Sequence, residues 1–161
     1  MQEFKGSATN SFFMWAQQIS KPYKGLQPNR LYQFTTEDRK ALLENIKELK
    51  IVAPMNQLEN SNNVVRGLKS AAMLVYGIYP ELAQIQQFSI TRGRFINTID
   101  INDNRKTAVI GDRVIEKLFT PTENPIGQYI RINGVQFMVV GTLRGSGNGD
   151  QAREQAESIY L

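Results

Sequence analysis

Residues 125–143 read Pro-Ile-Gly-Gln-Tyr-Ile-Arg-Ile-Asn-Gly-Val-Gln-Phe-Met-Val-Val-Gly-Thr-Leu, and this stretch says most about the fold. Two apolar-rich runs flank Asn133-Gly134, a pair that tolerates the positive φ angles needed at both centres of a two-residue type I′ turn. Apolar residues alternate with others over 129–132, and Phe137 and Val139 share one face after the turn. The sequence therefore predicts a β-hairpin with Asn133-Gly134 at its tip and with Phe137 and Val139 buried.

Capping residues and helical periodicity predict two helices. Thr35 and Asp38 have the spacing of a capping box, and Leu42, Leu43, Ile46 and Leu49 then recur at helical spacing. We expect this helix to end near Lys50, before Pro54, and a short strand to follow at 51–53. A second helix is expected to be capped by Asp112, and the following residues form its apolar face: Val114, Ile115, Leu118 and Phe119.

Short apolar runs predict the remaining strands. Residues 64–66 and 71–79 are expected to pair across Gly67, residues 107–111 form another strand, and a last strand begins at Ile159. Residues 11–19 are rich in aromatic side chains and are expected to form a buried strand.

The composition excludes several classes of chemistry. The chain has 161 residues, enough for one domain or two small lobes, and it contains no cysteine and no histidine. Disulfides, thiol nucleophiles and serine–histidine catalysis are therefore impossible within this chain.

The net charge of +4 comes with basic residues that are scattered along the chain. No run of four or more occurs, so we interpret them as a solvated surface and expect no nucleic-acid partner. No apolar stretch approaches the ~20 residues that span a bilayer, and Met1-Gln2-Glu3 does not resemble the start of a signal peptide.

Two motifs resemble ligand sites but lack defining residues. Asp100, Asn102 and Asn104 begin like a calcium loop, yet the glycine and the final acidic residue of that loop are absent, so a polar turn between strands is the better interpretation. Residues 145–149 alternate glycine with other residues, but no Walker lysine follows and the preceding strand belongs to a hairpin. A flexible loop is favoured there over a phosphate-binding loop.

Three other groups of residues have both a functional and a structural interpretation. The carboxylates Glu37, Asp38, Glu44 and Glu48 have the spacing of a solvated helix face, which we favour over acid–base catalysis. Phe12, Phe13 and Trp15 form either a partner-binding patch or, as we favour, part of a core. Arg94 is either an anion or partner contact or the partner of a nearby acid that holds a turn.

The order and spacing of several short motifs resemble the periplasmic core domain of MacB-like ABC transporter permeases. The resemblance begins near Thr36-Glu37-Asp38 and is more secure after about residue 90. The matching family-motif residues are Gly93, Arg94, Phe95, Gly111, Phe119, Pro125, Gly127, Asn133, Gly134 and Gly141. The sequence departs from the family at Gln128, where lysine is frequent, and at Thr120-Pro121, where glycine is usual.

The resemblance implies an α+β fold with two lobes in one extracytoplasmic segment, 1–161. We expect a porter-like βαβ lobe over about 10–90 and a small mixed α/β lobe over 91–158 that contains the hairpin, with the chain ending in mid-element at 159–161. It also implies a periplasmic location at the cell inner membrane. The family's domain couples cytoplasmic ATP hydrolysis to movement of an envelope substrate or to a periplasmic partner.

The same resemblance implies no catalytic residue, cofactor or metal in this chain. The expected partners, reached through the full-length permease, are an ABC ATPase, a membrane-fusion or adaptor protein and a second permease copy. A free-standing extracytoplasmic binding module is the alternative, and a hydrolase that uses carboxylates is less well supported because it would need a converging polar pocket.

Overall fold

A computed structural model describes residues 10–22, 25, 27–58, 62–146 and 149–161. They fall into two compact units, one within residues 9–52 and one within residues 53–161. The structure does not divide at the boundary expected between residues 90 and 91. That peptide bond lies inside a strand, and strands on both sides of it share one sheet.

The smaller unit contains strands β1 (Gln18–Ile19) and β2 (Arg30–Leu31), which pair antiparallel, and helix α1 (Thr36–Asn45). The buried strand predicted for 11–19 is wrong for this unit, because only its last two residues pair and residues 11–17 have no regular structure. A single pair of two-residue strands offers little apolar face for packing, and Phe12 and Trp15 are mostly exposed.

Helix α1 begins as predicted but ends earlier. Thr35 and Asp38 form the capping box, which confirms the predicted start. The helix ends at Asn45 instead of near Lys50: Ile46 is extended, and the Asn45 side chain donates to the Ala41 carbonyl at 2.8 Å. The strand predicted at 51–53 is also wrong, since the next strand starts only after Pro54.

The larger unit is a mixed sheet with four helices. Its strands are β3 (Met55–Gln57), β4 (Asn62–Arg66), β5 (Lys69–Ile78), β6 (Ser89–Gly93), β7 (Thr107–Gly111), β8 (Tyr129–Ile132), β9 (Val135–Arg144) and β10 (Ser158–Tyr160). Its helices are α2 (Leu82–Ile85), α3 (Thr98–Asn102), α4 (Asp112–Leu118) and α5 (Asp150–Ala156).

The strand pairings of this sheet close into a ring. The order is β10-β7-β9-β8-β4-β5, and β5 pairs in turn with β10. The β7–β9 and β5–β10 pairs are parallel and the other pairs are antiparallel. β3 extends the sheet along β5, and β6 pairs with the far half of β9.

Two hairpins have the turns that the sequence indicates. β8 and β9 pair with Ile132 opposite Val135, and Asn133 and Gly134 between them have φ angles of 47° and 89°. Val139 is buried as predicted, whereas Phe137 is only half-buried. β4 and β5 pair across Gly67 and Leu68, as predicted for residues 64–66 and 71–79.

Apolar side chains fill both faces of the sheet. One core contains Val64, Met73, Val75, Ala108, Ile110, Val114, Leu118, Phe119, Ile130, Ile132, Val139 and Ile159. The other contains Tyr76, Ile78, Leu82, Ile96, Val109, Val140, Leu143 and Tyr160. β7 contributes to both cores, which explains why its sequence is a continuous apolar run.

Helix α4 lies on the first core through Val114 and Leu118. The cap predicted for it is wrong. Gly111 is the N-cap and makes no side-chain cap bond, while Asp112 is already helical and accepts from the backbone N–H of Arg113. Within the described residues, none of the helices is long and apolar enough to cross a bilayer.

Candidate functional site

The family-motif residues Gly93 and Gly141 lie opposite each other where β6 pairs with β9. A Cβ atom on Gly93 would collide with the Val140 carbonyl oxygen and would lie 3.0 Å from Cδ1 of Ile126, and Gly93 has a φ of +72°. A Cβ on Gly141 would collide with the carbonyl oxygen of Arg94. Both positions therefore require glycine because two backbones approach more closely than side chains permit.

Arg94 donates two hydrogen bonds to the carboxylate of Asp100. Nη1 donates to Oδ2 at 2.5 Å and Nη2 donates to Oδ1 at 2.9 Å, while Nη1 also donates to the Phe95 carbonyl at 3.0 Å. Asp100 is 2% exposed, and its carboxylate also accepts from the Asn97 backbone N–H. Hydrogen bonding from Arg94 holds the pKa of Asp100 below its usual value. Of the two interpretations of Arg94, the structure supports the second: Arg94 is the partner of a nearby acid.

The polar turn expected around Asp100 is instead helix α3, with Asn97 as its capping residue. Asp100 is the third helical residue and completes a capping box with Asn97, so its oxygens are used for folding. Among the described residues, no group of three or more acidic side chains is placed to hold a metal ion.

Phe95 belongs to an aromatic cluster that covers the second core. Its ring stacks on Phe88 with centroids 4.8 Å apart, and Phe88 meets Tyr160 edge-on at 5.2 Å. Tyr160 stacks on Tyr76 at 5.8 Å. Burial raises the pKa of Tyr160 to about 12, and both burial and a 2.5 Å hydrogen bond to Glu154 raise the pKa of Tyr76. Glu154 thereby ties α5 to the sheet.

Gly111 and Gly145 lie directly against the backbone of helix α5. A Cβ on Gly111 would collide with the Ala156 carbonyl oxygen, and one on Gly145 would collide with the Ala152 carbonyl oxygen. The buried Gln155 accepts from the Ser146 backbone N–H at 3.0 Å. Residues 147 and 148 of the predicted glycine-rich loop lie outside the described part of the chain.

Phe119 stands at the end of α4, where the β4–β5 hairpin is anchored. Arg66 lies over the Phe119 ring with its guanidinium carbon 4.2 Å from the centroid, and it forms a two-point ion pair with Glu123. Lys69 donates to the Phe119 carbonyl at 2.7 Å. The two residues that flank the Gly67-Leu68 turn therefore both hold the end of α4.

Pro125 and Gly127 shape the chain just before β8. Pro125 is fully buried, and its carbonyl accepts from the Gln128 N–H at 3.1 Å. Gly127 has a φ of +82° and donates to the Val139 carbonyl at 2.8 Å. The departure from the family at Gln128 is compatible with this turn, because its backbone makes the contacts and its side chain is exposed.

The aromatic residues of the smaller unit are not in a core. Phe12 is 71% exposed and Trp15 74%, and Phe13 and Met14 are about half exposed. Helix α1 likewise has no buried residue. A shallow apolar groove of about 260 Å³ is lined by Met14, Phe34, Asp38, Ala41, Leu42, Asn45 and Ile46. The core packing that we favoured for Phe12, Phe13 and Trp15 is therefore wrong within this unit.

The four carboxylates expected on one helix do not all belong to it, because α1 ends at Asn45 and Glu48 lies beyond that end. Asp38 accepts hydrogen bonds from Thr35 and Tyr32, and these bonds hold its pKa below the usual value. Oε1 of Glu44 lies 3.8 Å from Nζ of Lys40 on the exposed face of the helix. This is the arrangement of a cap and a solvated helix face.

The chain belongs to the MacB-like periplasmic core domain family, whose model matches residues 1–161. This confirms the resemblance, and a mixed α/β fold like that of known MacB periplasmic structures agrees with the predicted class. The free-standing binding module is not favoured, because the relatives are ATP-binding/permease proteins.

Named relatives support the same family. The chain is 35% identical over 118 residues to the pyoverdine export ATP-binding/permease protein PvdT of Pseudomonas putida KT2440, covering 72% of the chain and 18% of that protein. It is 28% identical over 126 residues to the macrolide export ATP-binding/permease protein MacB of Syntrophobacter fumaroxidans, covering 78% and 17%. The chain thus spans less than a fifth of these relatives' length.

Solved structures share the fold. The periplasmic region of MacB from Actinobacillus actinomycetemcomitans superposes with a TM-score of 0.66 at 19% identity, covering 89% of this chain and 61% of that one. The extracellular domain of the ABC-type transporter YknZ from Gram-positive bacteria gives 0.65 at 20% identity, covering 79% and 61%.

The sequence analysis did not identify the charged residues that join α3 to the end of β6 and the β4–β5 hairpin to the end of α4. These residues are Asp100, Arg66, Lys69 and Glu123. For Asp100 a signal existed, since Asn97 and Asp100 have the spacing of a capping box. For the pair Arg66–Glu123, which lies 57 residues apart in sequence, no local signal existed.

Proposed function

We propose that this chain is the extracytoplasmic part of an ABC exporter permease of the inner membrane. It passes the motion driven by cytoplasmic ATP hydrolysis to an envelope substrate or to a periplasmic partner. The observation that carries this proposal is the family match over residues 1–161, together with relatives named as export ATP-binding/permease proteins.

The larger unit is suited to transmit motion as a rigid body. Its strand pairings close into a ring, both sheet faces are packed, and α3, α4 and α5 are each fixed to the sheet by buried contacts or charge pairs. Packed units of this kind move as wholes about hinges and do not deform continuously.

The two-lobed arrangement of the family is part of the proposal. We assign the larger unit to the mixed lobe and the smaller unit to part of the porter-like lobe. The exposed Phe12 and Trp15 and the unburied α1 support this, because a surface of that kind is normally covered. The covering part belongs to the longer periplasmic region, of which the matching MacB structure contains more than this chain spans.

The chain performs no chemistry of its own in this proposal. An ABC ATPase supplies the energy, a membrane-fusion or adaptor protein receives the motion, and the permease works as a dimer. Asp38 and Asp100 serve helix caps, and Asp100 and Glu123 form ion pairs with arginines, which supports a mechanical role.

The test uses the parent protein. Its gene must encode apolar spans of about 20 residues around this segment and an ABC ATPase, fused or adjacent. The purified exporter, with its other cysteines removed, then receives a spin label at Val135→Cys, a position that is 46% exposed. ATP should change the label–label distance in the wild type and leave it unchanged in an ATPase-inactive variant. Two results would overturn the proposal: a gene that encodes neither apolar membrane spans nor a neighbouring ABC ATPase, or a label–label distance that does not change when ATP is added.

A further inference from the structure

Side chains of four strands form a row on the side of the sheet opposite to the first core. The register places Val65 of β4 opposite Ser70 of β5 on one side and opposite Arg131 of β8 on the other. Gln136 of β9 lies opposite Arg131 and completes the row. Ser70, Arg131 and Gln136 are exposed, whereas the residues that precede Val65 and Arg131 belong to the first core. The row is therefore mostly polar and open to solvent.

A shallow cavity of about 190 Å³ lies beside this row, where Gly67 has no side chain. The residues whose side chains border it are Val65, Tyr129, Arg131 and Gln136. Tyr129 is 57% exposed and stands two residues before Arg131, so both side chains lie on the same face of β8. No described atom outside the chain neighbours of Gly67 lies within 4 Å of the position that a Cβ atom would occupy there. The missing side chain therefore leaves a notch next to the tyrosine ring.

The polar groups at the cavity are available to a ligand. Within the described part of the chain, the side chains of Tyr129, Arg131 and Gln136 have no hydrogen-bond or ion-pair partner. The Gln136 amide offers donors and an acceptor, and the Arg131 guanidinium offers a planar fork of donors. Groups of this kind pair with the neighbouring hydroxyl groups of a sugar ring. The Tyr129 ring adds an electron-rich face, against which the C–H bonds of a sugar pack.

The charge at the cavity indicates an uncharged ligand. Among the described residues, Arg131 is the only one that presents a charged side chain to the cavity, because the Arg66 guanidinium lies on the opposite face, over the Phe119 ring. A nucleic acid would need several cations along the path of its backbone. None of the described residues that line the cavity is a carboxylate, so the pair that glycoside hydrolysis uses is not available here. The site suits binding of a neutral saccharide without its cleavage.

The backbone beneath the cavity is held from the opposite face of the sheet. Arg66 forms a two-point ion pair with Glu123 and covers the Phe119 ring, and Lys69 donates to the Phe119 carbonyl. These contacts fix the β4–β5 hairpin to the end of α4. Little conformational entropy of this backbone therefore remains to be lost when a ligand binds.

We propose that Tyr129, Arg131 and Gln136 form a binding site for a neutral saccharide, and that the notch at Gly67 takes one sugar ring. The Tyr129 ring stacks on the apolar face of the sugar, while Arg131 and Gln136 donate hydrogen bonds to its hydroxyl groups. The choice of an envelope glycan as the source of this saccharide rests on the proposed function, because an extracytoplasmic domain meets the glycan of the cell wall. The binding itself does not depend on ATP-driven motion.

The test is saturation-transfer NMR with the full-length exporter in lipid nanodiscs, which contain no alkyl-glycoside detergent that would compete. The probe is chitotetraose, a neutral chain of N-acetylglucosamine, and we expect saturation transfer to its ring protons. Tyr129→Ala should weaken binding about tenfold, whereas Tyr129→Phe should retain most of the affinity because the ring remains. Gly67→Asn should also weaken binding, since asparagine tolerates the φ of +57° and its side chain fills the notch.

The matched controls are Gly134→Asn and Leu68→Ala. Gly134 also combines a positive φ with open space, and Leu68 is exposed in the same hairpin as Gly67, but neither residue borders the cavity. Both variants should bind chitotetraose as the wild type does.

Three results would each overturn the inference: no saturation transfer to chitotetraose, transfer that is insensitive to Tyr129→Ala and Gly67→Asn, or tighter binding of a single-stranded RNA oligonucleotide than of chitotetraose. Cosedimentation with purified peptidoglycan sacculi that is lost in Tyr129→Ala would identify the cell wall as the source of the saccharide. Binding of chitotetraose without cosedimentation would identify a soluble saccharide instead. ATP-driven label movement in an exporter that binds no saccharide would leave the proposed function standing.

Discussion

Arg94 and Asp100 form a two-point ion pair in which the carboxylate is almost completely buried and the guanidinium remains partly in solvent. The side-chain exposures are 42% for Arg94 and 1% for Asp100. Arg94 follows β6 and Asp100 belongs to α3, so the pair joins the strand to the helix. Loss of the arginine would leave a buried carboxylate without its charged partner, which is far more costly than loss of an exposed pair.

Replacement of Arg94 by alanine should therefore lower the free energy of unfolding by about 3 kcal/mol. The matched control is Arg113→Ala, which removes an arginine from an ion pair with Glu116 that is about 60% exposed on both sides. The control should change stability by less than about 1 kcal/mol. Urea unfolding measures both, and equal losses would show that the buried pair contributes no more than an exposed one.

The same pair should make stability depend on pH at the acid end. The folded-state pKa of Asp100 is lowered, so its contribution is present above the unfolded value of about 3.9 and is lost as the pH falls through the folded value. Wild-type stability should thus fall below about pH 4, and Asp100→Asn should fall less steeply. Urea titrations at a series of pH values test this, and parallel curves for the two proteins would contradict it.

The close backbone approach at Gly93 predicts a cost beyond that of a positive φ angle. Gly93→Ala should destabilise by about 3 kcal/mol, because the methyl group meets the Val140 carbonyl oxygen in a strained conformation. Gly127 provides the control, since its φ is +82° but no atom outside its chain neighbours lies within 4 Å of the position that a methyl group would occupy. Gly127→Ala should cost only about 1 kcal/mol, and a similar loss at both sites would argue against the close approach.

The β8–β9 turn gives a further prediction. Gly134 has a φ of +89°, which a β-branched residue resists, so Gly134→Val should destabilise by about 1 kcal/mol or more. Val135→Thr, one residue further on at an exposed position, should leave the melting temperature nearly unchanged. Thermal unfolding of the two variants tests this prediction, and an unaltered melting temperature in Gly134→Val would count against this turn assignment.

Local signals predicted the elements that local interactions determine. The Thr35 cap, the β7 strand and the turn at Gly67 depend on neighbouring residues, and the sequence shows them directly. The parallel pairing of β5 with β10 has no such signal, because Val75 and Ile159 are brought together only by the complete sheet. The sequence could not show that this pairing closes the ring.

The candidate site was predictable in part for the same reason. The family motif contains Gly93, Gly141 and Phe119. The carboxylates that form ion pairs beside these residues are Glu123, which is distant in sequence from its partner Arg66, and Asp100, whose role depends on its burial. For residues 11–19, apolar content predicted a buried strand, whereas Phe12 and Trp15 are more than two thirds exposed.

Trp15 provides a direct test of the proposed porter-like lobe, since it is the only tryptophan of the chain and is 74% exposed. In the isolated chain its fluorescence should resemble that of a hydrated indole and should be quenched efficiently by iodide. In the full-length exporter, with all other tryptophans replaced by phenylalanine, its emission should shift to the blue and quenching should weaken. The physical reason is that the remaining part of the lobe covers the aromatic segment and removes water from the ring. Val135→Trp in a Trp15→Phe background is the control, because position 135 lies at an exposed hairpin tip and should be quenched equally in both proteins. If Trp15 were quenched equally in the isolated chain and in the exporter, the segment would be uncovered in the whole protein, and the assignment of the smaller unit to a two-part lobe would fail.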